Sequence, residues 1–265
     1  MRRFVYSFQE GAGQDKDTLG GKGFGLAEMT GLGLPVPPGF TITTVACRAY
    51  LESQELPEGL REEVEAHLRA LEETTGRVFG DPENPLLVSV RSGGAVSMPG
   101  MMDTVLNLGL NDETVRGLAK QTGSDAFALN SYRRLLSMFG DTVAGIHRSR
   151  FEERLGGVKE AAGVQDDTEL DAEGWKRVIE AYREVYRAEG RPFPKSPDDQ
   201  LWAAISAVFR SWNSDRAVRY RAESDIPEDA GTAVNVQAMV FGNRGENSGT
   251  GVAFTRDPAT GDRDR

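Results

Sequence analysis

Short strand-like runs toward both ends of the chain, with a long helical block between them, predict an α+β fold. Residues 40–44, 86–90 and 232–241 are β-branched runs of strand length. Residues 111–190 carry helical spacing with no strand-like alternation, and the proline segment Arg191-Pro-Phe-Pro-Lys-Ser-Pro197 closes that block. With 265 residues, 38% of them apolar and 27% charged, the chain can bury a sizeable core as one large domain or two modest ones.

Charge and rare residues narrow the functional classes. A net charge of −10 argues against a broad nucleic-acid-binding face and against attraction to an anionic membrane. A local cluster of cations can still hold a nucleotide. Cys47 is the only cysteine, so neither an internal disulfide nor a cysteine-based zinc site can form. His67 and His147 are the only histidines and lie far apart in sequence, so a histidine-rich metal site is not expected. No run approaches the roughly 20 apolar residues of a membrane span, and the N-terminus lacks an apolar signal region. A reducing, soluble, cytoplasmic setting is expected.

In order along the chain, residues 4–8 read as a strand and 11–17 as a polar turn. Leu19-Gly-Gly-Lys-Gly-Phe-Gly-Leu-Ala-Glu-Met-Thr30 then sets glycines ahead of a helical pattern, with Leu26 and Met29 on one face. Such an entry leaves N–H groups outward at the positive end of the helix dipole, where an anion binds. Lys22 lies among these glycines. The spacing matches neither the P-loop nor the dinucleotide fingerprint, and a flexible turn with a solvated lysine is the alternative. Three prolines make residues 33–40 a connection. Thr44 is expected to cap a helix over 45–54 that packs Cys47. Residues 57–75 form an amphipathic helix through Leu60, Val64, Leu68 and Leu71, with His67 exposed beside it.

The stretch Val88-Ser-Val-Arg-Ser-Gly-Gly-Ala-Val-Ser-Met-Pro-Gly-Met-Met-Asp-Thr104 carries the chemistry. A buried strand ends in Arg91, whose guanidinium suits phosphate oxygens. Gly93, Gly94 and Gly100 allow close backbone approach, and Ser92, Ser97 and Thr104 offer hydroxyls. The pattern reads as a polyphosphate grip. A structural arginine paired with a carboxylate is the alternative.

Helices follow at 112–122, 125–146, 151–163 and 171–188, with Asp112, Asp125 and Asp171 as N-caps. Arg133 and Arg134 fall on a solvated or ion-paired face. One long helix runs from Ser196 or Asp198 through Arg221, with Leu201, Ile205, Val208, Phe209 and Trp212 as its apolar stripe. Residues 232–241 and 252–258 read as two strands, the second antiparallel to the first. A lone hairpin is marginal in water, so the chain reads as unfinished.

These motifs, together with Ala207-Val-Phe-Arg-Ser-Trp212 and Gly251-Val-Ala-Phe-Thr-Arg-Asp-Pro258, resemble the N-terminal region of pyruvate phosphate dikinases in order and over essentially the whole chain. The Ser-Met-Pro-Gly-Met-Met-Asp-Thr segment differs from the Arg-Ser-Ser-Ala-Thr-type segment usual in phosphoenolpyruvate synthases. The resemblance implies an ATP-grasp-like fold: a first subdomain over 1–110, a helical insertion over 111–197, and a return helix with the start of a second, incomplete subdomain over 198–265. It implies ATP and Mg2+, with the metal ligands outside this chain. It implies Lys22 and Arg91 as catalytic, cationic polyphosphate contacts, Gly100 and Thr104 as the loop covering the phosphates, and Gln237 and Met239 as adenine-pocket residues. The full enzyme of such a family is a homodimer. It passes a phosphoryl group from ATP through a histidine on another domain to pyruvate, giving AMP, pyrophosphate and phosphoenolpyruvate. Without those domains the chain is expected to be a fragment, inactive alone and weak in ATP affinity. A phosphoenolpyruvate synthase fragment and a non-catalytic interaction module are the alternatives.

Overall fold

The computed structural model describes residues 3–245 and 247–263. The first sheet strand, β1 (Val5–Ser7), leads to α1 (Lys16–Gly31), β2 (Gly39–Ile42), α2 (Thr44–Ser53) and α3 (Leu60–Thr75). Two short strands, β3 (Val78–Phe79) and β4 (Pro85–Leu86), pair in parallel. Then come β5 (Val88–Gly94) and β6 (Thr104–Leu108), and the helices α4 (Thr114–Thr122), α5 (Asp125–Thr142), α6 (Arg148–Ala162) and α7 (Ala172–Ala188). The chain returns through α8 (Pro197–Ser211), α9 (Asp215–Glu223) and β7 (Thr232–Ala238).

Five strands form one antiparallel sheet in the order β1-β2-β7-β5-β6. The last strand in sequence therefore sits at its centre. The sequence Thr-Ala-Val-Asn-Val-Gln-Ala of β7 shows why. Side chains alternate across a strand, so Val234 and Val236 face one way and Asn235 and Gln237 the other. Val234 and Val236 are fully buried with Phe40, Ile42, Val88 and Val90. That apolar face belongs to one continuous core that also takes in Ala46 of α2, Leu135 of α5, Tyr182 of α7 and Ile205 of α8. The opposite face is polar. Tyr6, Thr41, Asn235, Arg91 and Thr104 stand opposite one another across all five strands. The β5–β6 ladder shifts register between Val88 and Val90, where β6 carries an extra residue. Asn107 takes a left-handed φ of 62° there, and this bulge returns Leu108 to the core face.

The helical block is present as expected, but four sequence expectations change. First, the strand expected over 252–258 does not form; Val252 and Phe254 are exposed. β7 needs no hairpin partner because it is paired on both sides by β2 and β5, so it completes the first sheet rather than starting another. Second, the long helix expected through Arg221 breaks after Ser211. Ser214 caps α9, and the Trp212 indole N–H bonds the Glu228 carbonyl at 2.8 Å. Third, the caps lie one residue earlier than expected at Thr43 and Ser124, where extended backbone lets the side chain accept from the third residue on. Asn111, not Asp112, accepts from Glu113 and Thr114 N–H, both at 2.9 Å. Asp171 caps α7 as expected. Fourth, His67 is mostly covered: its Nε2 lies 3.1 Å from Glu10, and its ring packs on Phe40.

Candidate functional site: a cationic cleft between α1 and β5

The site is built where α1 lies on the polar face of the sheet. Asp15 caps this helix, accepting from Thr18 N–H at 2.6 Å. At Gly20 the helix is interrupted, with φ 68° and ψ 167°, a region that is essentially glycine-only. A Cβ at Gly20 would lie 1.6 Å from the Gly93 carbonyl oxygen, and one at Gly23 would lie 2.8 Å from Thr41 Oγ1. These glycines let the helix rest directly on β5 and β2. The face expected from Leu26 and Met29 is not the packed one. Met29 is exposed, and the buried positions are Leu19, Gly20, Gly23 and Ala27.

This close approach sets Lys22 above β5, its Cβ 3.5 Å from the position a Gly93 Cβ would take. Lys22 keeps a solvent-exposed side chain, with its ammonium in partly desolvated surroundings. Burial first, and then the nearby Arg91 cation, lower its pKa from the ordinary lysine value. Arg91 is not at the end of its strand, as the sequence suggested, but in its middle, because the ladder with β7 continues to Gly94. Burial lowers its pKa as well. Its guanidinium donates to the Gln237 side-chain carbonyl, and its Nε is buried without a partner. Among the described residues, no carboxylate lies within 4 Å of either cation. Two neighbouring like charges disfavour each other.

A cleft of about 750 Å³ opens at Lys22, beside Arg91, whose chain neighbour Ser92 lines it, within the size range of small-molecule sites. Lys16, Gly21 and Lys22 of α1 line it together with Gly94, Gly100 and Thr104 of β5, the following loop and β6. The loop between β5 and β6 is anchored from α8 and α9. Met98 is buried in a small cluster with Trp212, Ala217 and Ile226. Arg216 donates from Nε to the Met101 carbonyl at 3.1 Å and pairs with Asp103. Burial, with a smaller push from the Asp141 charge, leaves the Asp103 pKa raised despite the opposing pull of Arg216. Gly100 takes φ 73°, which L side chains rarely adopt.

Of the six residues singled out by sequence, Lys22, Gly100 and Thr104 line the cleft. Arg91 stands opposite Thr104 in the ladder. Gln237 joins the group through Arg91, and its amide also donates to the Pro37 carbonyl at 2.9 Å. Met239 is not brought to the cleft. Its N–H bonds the Leu87 carbonyl, and its side chain packs against the core. Asn235 was missed, although the Val-Asn-Val-Gln alternation marks it. It is fully buried, accepts from Thr41 Oγ1 at 2.9 Å and leaves its Nδ2 unpartnered. Arg216 was also missed, and no local signal could tie it to Asp103 so far away in sequence.

Magnesium does not fit the residues present. No carboxylate lines the cleft, and this hard cation prefers carboxylate and phosphate oxygens. Among the described residues, no group of three or more His, Cys, Asp or Glu is placed to hold a metal ion. None of the described helices is long and apolar enough to cross a membrane.

The family described as "Pyruvate phosphate dikinase, AMP/ATP-binding domain" matches residues 16–74 and 51–265. A pyruvate, phosphate dikinase of Rhizobium meliloti (strain 1021) is 55% identical over 270 residues, covering 100% of this chain and 30% of the relative. One from Clostridium symbiosum is 52% identical over 99% of this chain and 30% of its own length. A chloroplastic one from Mesembryanthemum crystallinum is 54% identical over 98% of this chain and 28% of its length. The chain thus spans about 30% of the length of these curated relatives.

Proposed function

The chain belongs to the pyruvate phosphate dikinase AMP/ATP-binding domain family, and from that premise we propose that its cleft grips the polyphosphate of ATP through Lys22 and Arg91. The observation that carries the proposal is a pair of neighbouring cations, Arg91 partly buried in β5 and Lys22 above it on α1, with no carboxylate partner among the described residues. A structural arginine would be expected to have such a partner; Arg91 has only the neutral amide of Gln237.

In this reading Arg91 orients the phosphates from the sheet, held in line by Gln237. Lys22 neutralises charge from α1, and the backbone of residues 92–104 closes over them. Phosphoryl transfer asks for positioning and charge stabilisation more than for a protein nucleophile. That agrees with a cleft that contains no His or Cys. The five-stranded sheet with α1 is the first half of an ATP-grasp-like fold over 1–110, with β7 returning to it. Residues 111–197 are the helical insertion, and 198–265 lead toward the second half. The parent reaction converts ATP, phosphate and pyruvate to AMP, pyrophosphate and phosphoenolpyruvate. A phosphohistidine domain and a pyruvate-binding domain supply the remaining chemistry, in a homodimer in the cytoplasm. Magnesium, which the family resemblance implies, would take its protein ligands from residues other than those of the cleft.

Calorimetric titration of tripolyphosphate into the chain and into Lys22→Gln and Arg91→Gln tests this reading. Both variants should lose at least tenfold in affinity while retaining the wild-type melting temperature within a few degrees. Unchanged affinity in both would refute the grip.

A further inference from the structure

A second cavity, of about 420 Å³, lies in the helical block away from the cationic cleft, between α5, α7 and the proline segment that follows. Its floor is aromatic. Tyr132 and Tyr186 are nearly fully buried, and both rings pack on Phe193, at centroid distances of 6.3 and 5.8 Å. Neither phenol is free to turn outward. Tyr132 donates to Asp112 at 3.1 Å and Tyr186 to the Leu136 carbonyl at 2.6 Å. The floor therefore offers carbon surface.

The rim is cationic. Arg183, Arg187, Arg191 and Lys195 line it against one carboxylate, Asp112. Arg183 pairs with Asp112 and Glu180, and Arg187 pairs with Glu180. Among the described residues, no carboxylate lies within 4 Å of Arg191 or Lys195. Arg191 donates instead to the Ala144 carbonyl. This local positive excess stands in a chain of net charge −10. The wall carrying it is held in place: the Arg191 N–H bonds the Tyr186 carbonyl at 3.1 Å, the Lys195 carbonyl accepts from Asn111 at 3.0 Å, and the Pro194 carbonyl accepts from Gln200 at 3.0 Å.

An apolar ring floor with few polar groups and fixed cations at the mouth is the composition of a small-molecule site, and it selects for a planar ring bearing an oxyanion. We infer that this cavity is a ligand site, separate from the nucleotide cleft, for an aromatic carboxylate or aromatic phosphate: the ring lies on Tyr132, Tyr186 and Phe193, and the oxyanion meets Lys195 and Arg191.

The test is a 1H–15N NMR titration of the chain with 2-naphthoate, 2-naphthyl phosphate and the neutral 2-naphthol. Both anions should give saturable shifts concentrated at residues 132–136 and 183–195, with the naphthol at least tenfold weaker. The tighter anion identifies the oxyanion that the rim prefers. Lys195→Glu replaces an exposed side chain that has no carboxylate partner among the described residues, and should weaken the anions at least tenfold without shifting the melting temperature. Arg191→Gln should weaken them severalfold. Shifts mapping elsewhere, equal binding of naphthol and naphthoate, or an unchanged affinity in Lys195→Glu would each overturn the inference.

Discussion

Gly20→Ala should be among the most damaging single-methyl additions in this chain, and its size follows from two observations. The residue sits at φ 68°, ψ 167°, a region that costs a non-glycine residue about 1–3 kcal/mol. The new Cβ would lie 1.6 Å from the Gly93 carbonyl oxygen, so α1 and β5 must part by about 1.4 Å before the contact reaches 3.0 Å. Overpacking of this kind costs about 1–3 kcal/mol more. The sum of roughly 2–6 kcal/mol corresponds to a fall in melting temperature of about 4 °C to over 20 °C for a chain of this size. Gly25→Ala is the internal control. No atom lies within 4 Å of its Cβ position, and alanine in a helix gains up to about 1 kcal/mol over glycine. Thermal and urea unfolding of both variants, with tripolyphosphate titration at a temperature where both are folded, separates stability from binding. Gly20→Ala should lose both, because parting α1 from β5 also moves Lys22 away from Arg91. A melting temperature within 1 °C of wild type would refute the close-packing argument.

Other outcomes follow from the same geometry. Gln237→Leu should weaken tripolyphosphate binding severalfold, because it removes the acceptor that holds Arg91; calorimetry reads the loss, and Gln237→Glu should be weaker still because its charge competes for the guanidinium. Arg216→Ala leaves Asp103 half-buried and unpaired, and should cost about 1–2 kcal/mol in urea unfolding. The Cys47 thiol, pushed up to about 11 by burial, should resist a disulfide reagent at pH 8 in the folded chain and react promptly in urea. Glu10 contributes a pH dependence: burial pushes its carboxyl up, but hydrogen bonds from Arg3, the Ser7 backbone and His67 outweigh this and hold it at about 2. Its folded pKa is depressed, so its stabilisation is present above the usual carboxylate pKa near 4.5 and is lost as pH falls toward 2. The carboxylate is well exposed, which keeps the effect of Glu10→Gln below about 1 kcal/mol at pH 7 and near zero around pH 2, as measured by urea unfolding across that range.

What could be read from the sequence divides along physical lines. Local periodicity placed the helices of the middle block, because burying one face of a helix writes itself into spacing of three and four residues. The glycines of α1 were legible as a motif, but the contacts that require Gly20 and Gly23 are with Gly93 and Thr41, outside any local window. The sheet was not legible. β7 pairs with β2 and β5 across about 150 to 200 residues, and nothing local in residues 232–241 states that they form the centre of the first sheet. The same distance hid the position of Arg91 within its strand. A run ending in Val90 suggested a strand end, whereas pairing with Ala233 and Thr232 carries the strand through Gly94. Asn235 lay within reach, since two polar residues at alternate positions of an apolar strand mark one polar face. The break between α8 and α9 was masked by an apolar stripe ending at Trp212, whose indole turns to Glu228 and whose ring is covered by Arg221.

The most direct test of the central claim is the titration of the Lys22 ammonium itself, followed by NMR in a chain labelled at lysine side chains, with and without saturating tripolyphosphate. If Lys22 and Arg91 share a desolvated polyphosphate site, Lys22 titrates below the ordinary lysine value in the free chain and moves upward when the polyanion binds. A Lys22 that titrates at the ordinary lysine value and does not respond to tripolyphosphate would contradict the account.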